Sequence, residues 1–90
     1  AKRDALKWAI WKLVFHSLPQ LKPGGRLVVC NCSFQLSLSE TIETCRLAAA
    51  DRGERLFLED VTLQDRDHPA PIWFPESLYL KCIWLRKESD

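Results

Sequence analysis

Residues 21–33 read Leu-Lys-Pro-Gly-Gly-Arg-Leu-Val-Val-Cys-Asn-Cys-Ser, and this stretch decides how the fold of the 90-residue chain is interpreted. Proline fixes φ and glycine permits positive φ, so residues 22–25 predict a sharp turn. The apolar, β-branched run that follows predicts a strand over residues 26–33. Such a run is typical of a strand buried on both faces of a parallel sheet, and we expect it to be a central strand.

A helix is expected on each side of this strand. Apolar residues recur at helical spacing over residues 3–18, on a face so wide that part of its packing partner is expected to be missing. Ser37 and Glu40 form a capping-box pattern and Gly53 supplies a left-handed stop, which predicts a second helix over residues 38–52. The expected inner face and outer ion pair of this second helix are Leu38, Ile42, Cys45 and Ala49, and Glu43 with Arg46.

Two further strands are expected towards the C-terminus. Residues 55–63 carry Phe57, Val61 and Leu63 at alternating positions, and residues 78–86 are rich in aromatic and β-branched side chains. Because no helix separates these strands, we expect them to pair antiparallel at one edge of the sheet. The order helix, strand, helix, strand, strand predicts an α/β fold with an antiparallel last strand.

The composition is that of a soluble globular domain, with 47% hydrophobic and 28% charged residues. Ninety residues allow one small domain. The formal net charge of +1 gives no surplus of cations to attract nucleic acid or an acidic membrane non-specifically. No run approaches the ~20 apolar residues of a membrane helix, and the N-terminus is not a secretion signal. We therefore expect a cytoplasmic protein without a membrane partner.

The four cysteines are expected to be reduced thiols. Cys30 and Cys32 stand two apart in the first predicted strand, where their side chains would point to opposite faces and could not easily bridge. Cysteine is among the most buried residue types, so Cys30, Cys45 and Cys82 are interpreted as core residues, and the pattern alone leaves this open for Cys32. A zinc site from Cys30, Cys32 and His68 lacks the usual ligand spacing, and no metal is expected.

A polar, proline-rich connection over residues 64–77 separates the last two strands. So long a connection within a small domain is more often functional than incidental. It contains the sequences Asp-His-Pro and Trp-Phe-Pro-Glu. The residues alone leave open that His68 braces the connection and that Trp73 and Phe74 merely cover the sheet edge.

Three segments together resemble the last third of a class I methyltransferase domain. They are residues 21–27 leading to Asn31-Cys32-Ser33, then Asp67-His68-Pro69, then Pro-Glu-Ser-Leu-Tyr-Leu-Lys at residues 75–81. The specific match is to the bacterial large-subunit ribosomal-RNA cytosine-C5 methyltransferases that carry an N-terminal PUA domain. This resemblance implies that residues 1–90 are a single partial domain, the C-terminal part of a Rossmann-like class I methyltransferase fold.

The resemblance also implies site residues. It makes Cys32 the catalytic nucleophile, which in this family adds to C6 of cytosine so that C5 can accept a methyl group. Asn31 stands where the family has Ser or Thr. The implied substrate-loop residues are Ser33, Asp67, His68, Pro69, Glu76, Tyr79 and Lys81. Of these, Asp67, His68 and Glu76 are candidates by type for removing the C5 proton, and His68, Trp73 and Phe74 could contact or stack on the base.

S-adenosylmethionine and ribosomal RNA are the cofactor and substrate that the resemblance implies for the intact enzyme. The glycine-rich loop and the Asp-Pro-Pro segment that hold the cofactor in such enzymes are not in the 90 residues. We therefore expect the missing N-terminal part of the protein to bind S-adenosylmethionine, and this chain alone to be inactive. Two alternatives stay open: an interaction module that self-associates through the helix carrying Trp8 and Trp11, and a class I methyltransferase with another target.

Overall fold

The computed structural model describes residues 2–32, 35–63, 72–73 and 80–89. In chain order, the elements are α1 (Lys2–Ser17), a 3₁₀ turn (Leu18–Gln20), β1 (Arg26–Asn31), α2 (Leu38–Arg52), β2 (Leu56–Leu63) and β3 (Lys81–Lys87). The predicted order of helices and strands is confirmed. Within the described ranges, no helix has the length and apolar content needed to cross a membrane.

The described sheet has the strand order β1-β3-β2, and β3 runs antiparallel to both neighbours. The expected antiparallel pairing of the last two strands is confirmed. However, β3 and not β1 is the middle strand, because Ile83 pairs with Val29 on one side and with Val61 on the other. The expectation of a central β1 is therefore wrong for this part of the chain.

Only one face of β1 is covered by the described residues. Val29 and Asn31 are buried beneath the helices, whereas Val28 and Cys30 on the opposite face are exposed. The expectation that β1 is buried on both faces is thus wrong here, because both helices pack on the same side of the sheet. The core they share with the sheet consists of Ile10, Val14, Leu18, Val29, Leu36, Cys45, Ala48, Ala49, Ile83 and Leu85.

Local signals set the bounds of α2, which agree with the prediction. The backbone N–H of Glu40 donates to Ser37 Oγ at 3.1 Å, and the hydroxyl of Ser37 donates to the Glu40 carboxylate at 3.2 Å. Gly53 adopts a φ of 73° at the C-terminal cap, where its N–H donates to Ala50 O at 3.0 Å. The predicted pair of Glu43 with Arg46 and the predicted inner face are also present.

A β-bulge between Leu58 and Asp60 changes which side chains of β2 share a face. Phe57 lies opposite Arg86, on the exposed face, and the Arg86 guanidinium lies 4.8 Å from the centre of its ring. Val61 lies opposite Ile83, on the covered face. The sequence interpretation that placed Phe57 on the same face as Val61 is therefore wrong, since the extra residue shifts the alternation.

The wide apolar face of α1 is only partly covered by the described residues, as expected. Trp11 and Phe15 pack against the core, and the Nε1–H of Trp11 donates to Asp51 Oδ2 at 3.0 Å. Trp8 stacks on Trp11 with ring centres 5.0 Å apart but remains 58% exposed. Leu13 is 55% exposed. The interpretation of the tryptophans as packing residues holds for Trp11 and only in part for Trp8.

Candidate functional site at the end of β1

Cys32 is the residue that directly follows β1, and its side chain is an exposed free thiol. The connection that it begins leads to the N-terminus of α2. In open α/β sheets this is the region where ligands bind, because the loops at the carboxyl ends of the strands form a crevice there. The position is therefore suited to a reacting group.

The other three cysteines are in different states. Cys30 and Cys82 lie directly opposite each other on β1 and β3, with Cα atoms 4.1 Å apart, and form a disulfide. The expectation of reduced thiols is wrong for this pair, and Cys30 is exposed instead of lying in the core. Strand pairing, which brings residues 52 apart together, was not available from the sequence. Cys45 is buried as expected.

The local environments of the two free thiols differ in a way that separates their chemistry. Burial raises the pKa of the Cys45 thiol to about 11, so this side chain stays protonated and inert at neutral pH. Cys32 is exposed to reagents. Among the four cysteines, all of which are described, Cys32 is thus the accessible free thiol.

Asn31 anchors the connection that carries Cys32. Its side chain is buried, and its Nδ2 donates to the carbonyl oxygen of Leu36 at 3.3 Å and to Thr41 Oγ1 at 3.1 Å. The Thr41 hydroxyl in turn donates to Ser37 O at 2.8 Å. These bonds tie both ends of the loop to the first turn of α2. The replacement of the family's Ser or Thr by Asn31 is therefore accommodated by structural hydrogen bonds.

Lys81 begins β3 directly opposite Asn31 and is buried, with 3% of its surface exposed. Burial lowers the pKa of the Lys81 ammonium, and the negative charge of Cys32 acts in the opposite direction. The structure thus brings two of the predicted site residues, Cys32 and Lys81, into electrostatic contact.

The remaining predicted site residues lie outside the described residues: Ser33, Asp67, His68, Pro69, Glu76 and Tyr79, together with Phe74. Trp73 is described and is 84% exposed. Sequence reasoning gave no role to Thr41 and saw Asn31 only as a departure from the family. Strand alternation could have found the orientation of Asn31, since it shares its face with Leu27 and Val29.

Comparison with known proteins points to methyltransferases, although no family model matches the chain. The chain is 36% identical over 61 residues to "Ribosomal RNA large subunit methyltransferase I" of Pseudoalteromonas translucida (strain TAC 125), which covers 68% of this chain and 15% of that protein. A solved structure of a candidate SAM-dependent methyltransferase from Streptococcus mutans superposes with a TM-score of 0.77 at 16% identity, over 84% of this chain and 20% of that chain.

The chain has the fold of part of a methyltransferase. This confirms the α/β fold class and its antiparallel last strand. The chain spans about one seventh of the length of the ribosomal-RNA methyltransferase that it matches.

Proposed function

We propose that the chain is the C-terminal part of the catalytic domain of a SAM-dependent RNA methyltransferase, which forms 5-methylcytosine in ribosomal RNA with Cys32 as the nucleophile. The carrying observation is the exposed free thiol of Cys32 at the carboxyl end of β1. The similarity to a ribosomal-RNA methyltransferase and the shared fold support this proposal. The cofactor-binding half and a PUA domain would belong to the rest of the parent protein.

The described glycines do not form a cofactor loop. The N–H of Gly24 donates to Lys87 O at 3.0 Å and that of Gly25 to Lys22 O at 2.8 Å, so both amides are used within the turn. The N–H of Gly53 closes the end of α2. The described residues therefore do not fit S-adenosylmethionine, and in our proposal the upstream half binds it.

Cys32 would act by covalent catalysis. Its thiolate adds to C6 of the cytosine ring, so a C–S bond forms and electron density moves to C5. S-adenosylmethionine, bound by the upstream half, supplies the methyl group that C5 accepts. A base then removes the C5 proton, the C–S bond breaks, and Cys32 leaves as a thiolate. Trp73, 84% exposed, offers a ring face on which an unstacked base can pack.

Methyl transfer to unmodified ribosomal RNA by the full-length parent tests this function. We expect Cys32→Ala to abolish transfer, with the methyl group found at cytosine C5 in the wild-type product. Cys30→Ala and the double variant Cys30→Ser/Cys82→Ser are the matched controls and should retain transfer. Equal activity of Cys32→Ala and wild type would contradict a nucleophilic role, and a methyl group on another atom would favour a class I enzyme with a different target.

Calorimetric titration separates the proposed division of labour between the two halves. Because the described residues lack a cofactor loop, the 90-residue chain is expected to give no binding heat with S-adenosylmethionine, whereas the parent should bind it. Clear micromolar binding by the chain alone would show that part of the cofactor site lies within residues 1–90.

A second candidate function is a methyltransferase-like interaction module that associates with a second copy of itself. The exposed side chains of Trp8 and Leu13 on α1 favour this candidate. Sedimentation equilibrium of the wild-type chain and of Trp8→Arg tests it, with Trp73→Arg as a control at another exposed tryptophan. Dimers that only Trp8→Arg dissociates would support the module, and monomers at all concentrations would exclude this form of it.

A further inference from the structure

We propose that Lys81 is a positioning residue that holds the Cys32 side chain in its thiolate form; this inference rests on the proposed nucleophilic role of Cys32. Lys81 lies directly opposite Asn31 in the β1–β3 pair, and Cys32 is the next residue after Asn31. Partners across an antiparallel pair have Cα atoms about 4.5–5.5 Å apart. The long side chain of a lysine at this position can therefore reach the start of the loop that carries Cys32.

The burial of Lys81 indicates that its charge has a specific role. Lysine is almost never fully buried unless it is paired, because removing an ammonium group from water costs several kcal/mol. Lys81 is 3% exposed. By comparison, Lys87 on the same strand is partly exposed and donates to the carbonyl oxygens of Leu18 and Leu21. A buried ammonium group beside an exposed thiol is unnecessary for packing, since methionine would fill similar space at no such cost.

The charged groups around Lys81 leave Cys32 as its identified anionic partner among the described residues. Its neighbours across the sheet, Asn31 and Leu63, are uncharged. The acidic side chains at the start of α2 are paired elsewhere, Glu40 with Arg3 and Glu43 with Arg46. The negative charge of Cys32 is what opposes the effect of burial on the Lys81 ammonium.

A fixed cation at this place changes the chemistry of the thiol. A free cysteine with an ordinary pKa of about 8.5 is only a few per cent thiolate at pH 7. A nearby ammonium stabilises the thiolate, and partial exclusion of water strengthens the attraction. The proton lost by Cys32 goes to solvent and Lys81 keeps its own, so Lys81 acts as a fixed charge and not as a base.

Alkylation of the 90-residue chain by iodoacetamide, followed at the Cys32 peptide by mass spectrometry across a pH series, tests this role. In Lys81→Met we expect the rate at pH 7 to fall about tenfold, as a displacement of one pH unit in the rate profile produces. Lys81→Arg should keep most of the rate, because it keeps the charge. Lys87→Met is the matched control and should leave the profile unchanged. Identical profiles for Lys81→Met and wild type would overturn the inference.

A reciprocal measurement needs no change at Lys81. Coupling between two charges acts equally on both. An NMR titration of the Lys81 ε-carbon should therefore show a lower Lys81 pKa in Cys32→Ala than in wild type, and an unchanged pKa would overturn the inference. Labelling of the buried Cys45 reports any variant that has unfolded, in which case this titration decides.

The two proposals fail in different ways. If Cys32→Ala abolishes methyl transfer by the parent while Lys81→Met leaves alkylation unchanged, the nucleophile stands and the role of Lys81 falls. If Cys32→Ala retains methyl transfer, the proposed function falls, whatever the coupling between the two side chains.

Discussion

The side-chain amide of Asn31 donates a 3.1 Å hydrogen bond to the hydroxyl oxygen of Thr41, which joins the end of β1 to the first turn of α2. Both side chains are buried. A buried polar group that loses its partner costs about 1–3 kcal/mol. We expect Asn31→Ala to lower the free energy of unfolding by about this amount, measured by urea denaturation. Ser39→Ala, at an exposed position of α2, is the control, and an equal midpoint for both variants would contradict the expectation.

The disulfide between Cys30 and Cys82 should stabilise the chain. It links residues 52 apart in sequence. The chain-entropy model gives about 4 kcal/mol for a loop of this length. Reductant should therefore lower the Tm of wild type but not that of Cys30→Ser/Cys82→Ser. In denaturant, two of the four cysteines should react as thiols before reduction and all four afterwards. A wild-type Tm that is insensitive to reductant would argue against the bond.

The buried thiol of Cys45 should make the fold sensitive to alkaline pH. Its pKa is raised by burial from 9.0 to about 11. Between these values the folded chain keeps a proton that the unfolded chain releases. Stability is therefore unaffected below pH 9 and falls as the pH approaches 11, by up to about 3 kcal/mol at about 1.4 kcal/mol per unit.

Comparing wild type with Cys45→Ala isolates this contribution. The pKa of Lys81 is lowered from 10.5 by burial, which gives an opposite slope, because the cost of a buried ammonium disappears as the pH rises towards 10.5. That slope is common to both proteins and cancels in the difference. Urea denaturation at several pH values should show the alkaline loss only in wild type, and parallel curves would refute the assignment to Cys45.

Glu59 on β2 joins the three strands on the exposed face of the sheet. Its carboxylate accepts from Arg26 Nε at 2.7 Å and from Arg86 Nε at 3.1 Å. The hydrogen bond from Arg26, followed by smaller contributions that include Arg86, lowers the pKa of Glu59 below 4.5. Its stabilising effect is thus complete above pH 4.5 and is lost as the pH falls through the lowered pKa.

The substitution Glu59→Gln should lower the Tm by a few degrees at most, because exposed ion pairs contribute little. The difference from wild type should shrink in high salt and in acid, since both remove the charge interaction. Thermal denaturation measures it, with Asp60→Asn as the neighbouring control. A difference that persists unchanged at acidic pH would show that packing, and not charge, causes it.

Features that depend on a few neighbouring residues were predictable from the sequence. The bounds of α2 follow from the Ser37 hydroxyl at one end and the positive φ of Gly53 at the other, both of which act within a single turn. The turn before β1 and the position of Cys32 at the end of a strand are likewise local. The family resemblance located Lys81 by its place in a motif but not its environment.

Only the tertiary structure decided how distant parts of the chain meet. The pairing of Cys30 with Cys82 and the burial of Lys81 depend on β3 lying beside β1, and the face of Phe57 depends on a bulge in the β2–β3 register. An apolar run likewise predicts a strand but not which of its faces the helices cover. Hydrogen bonds within a turn are encoded by adjacent residues, whereas strand register and burial are set by the packing of the whole domain.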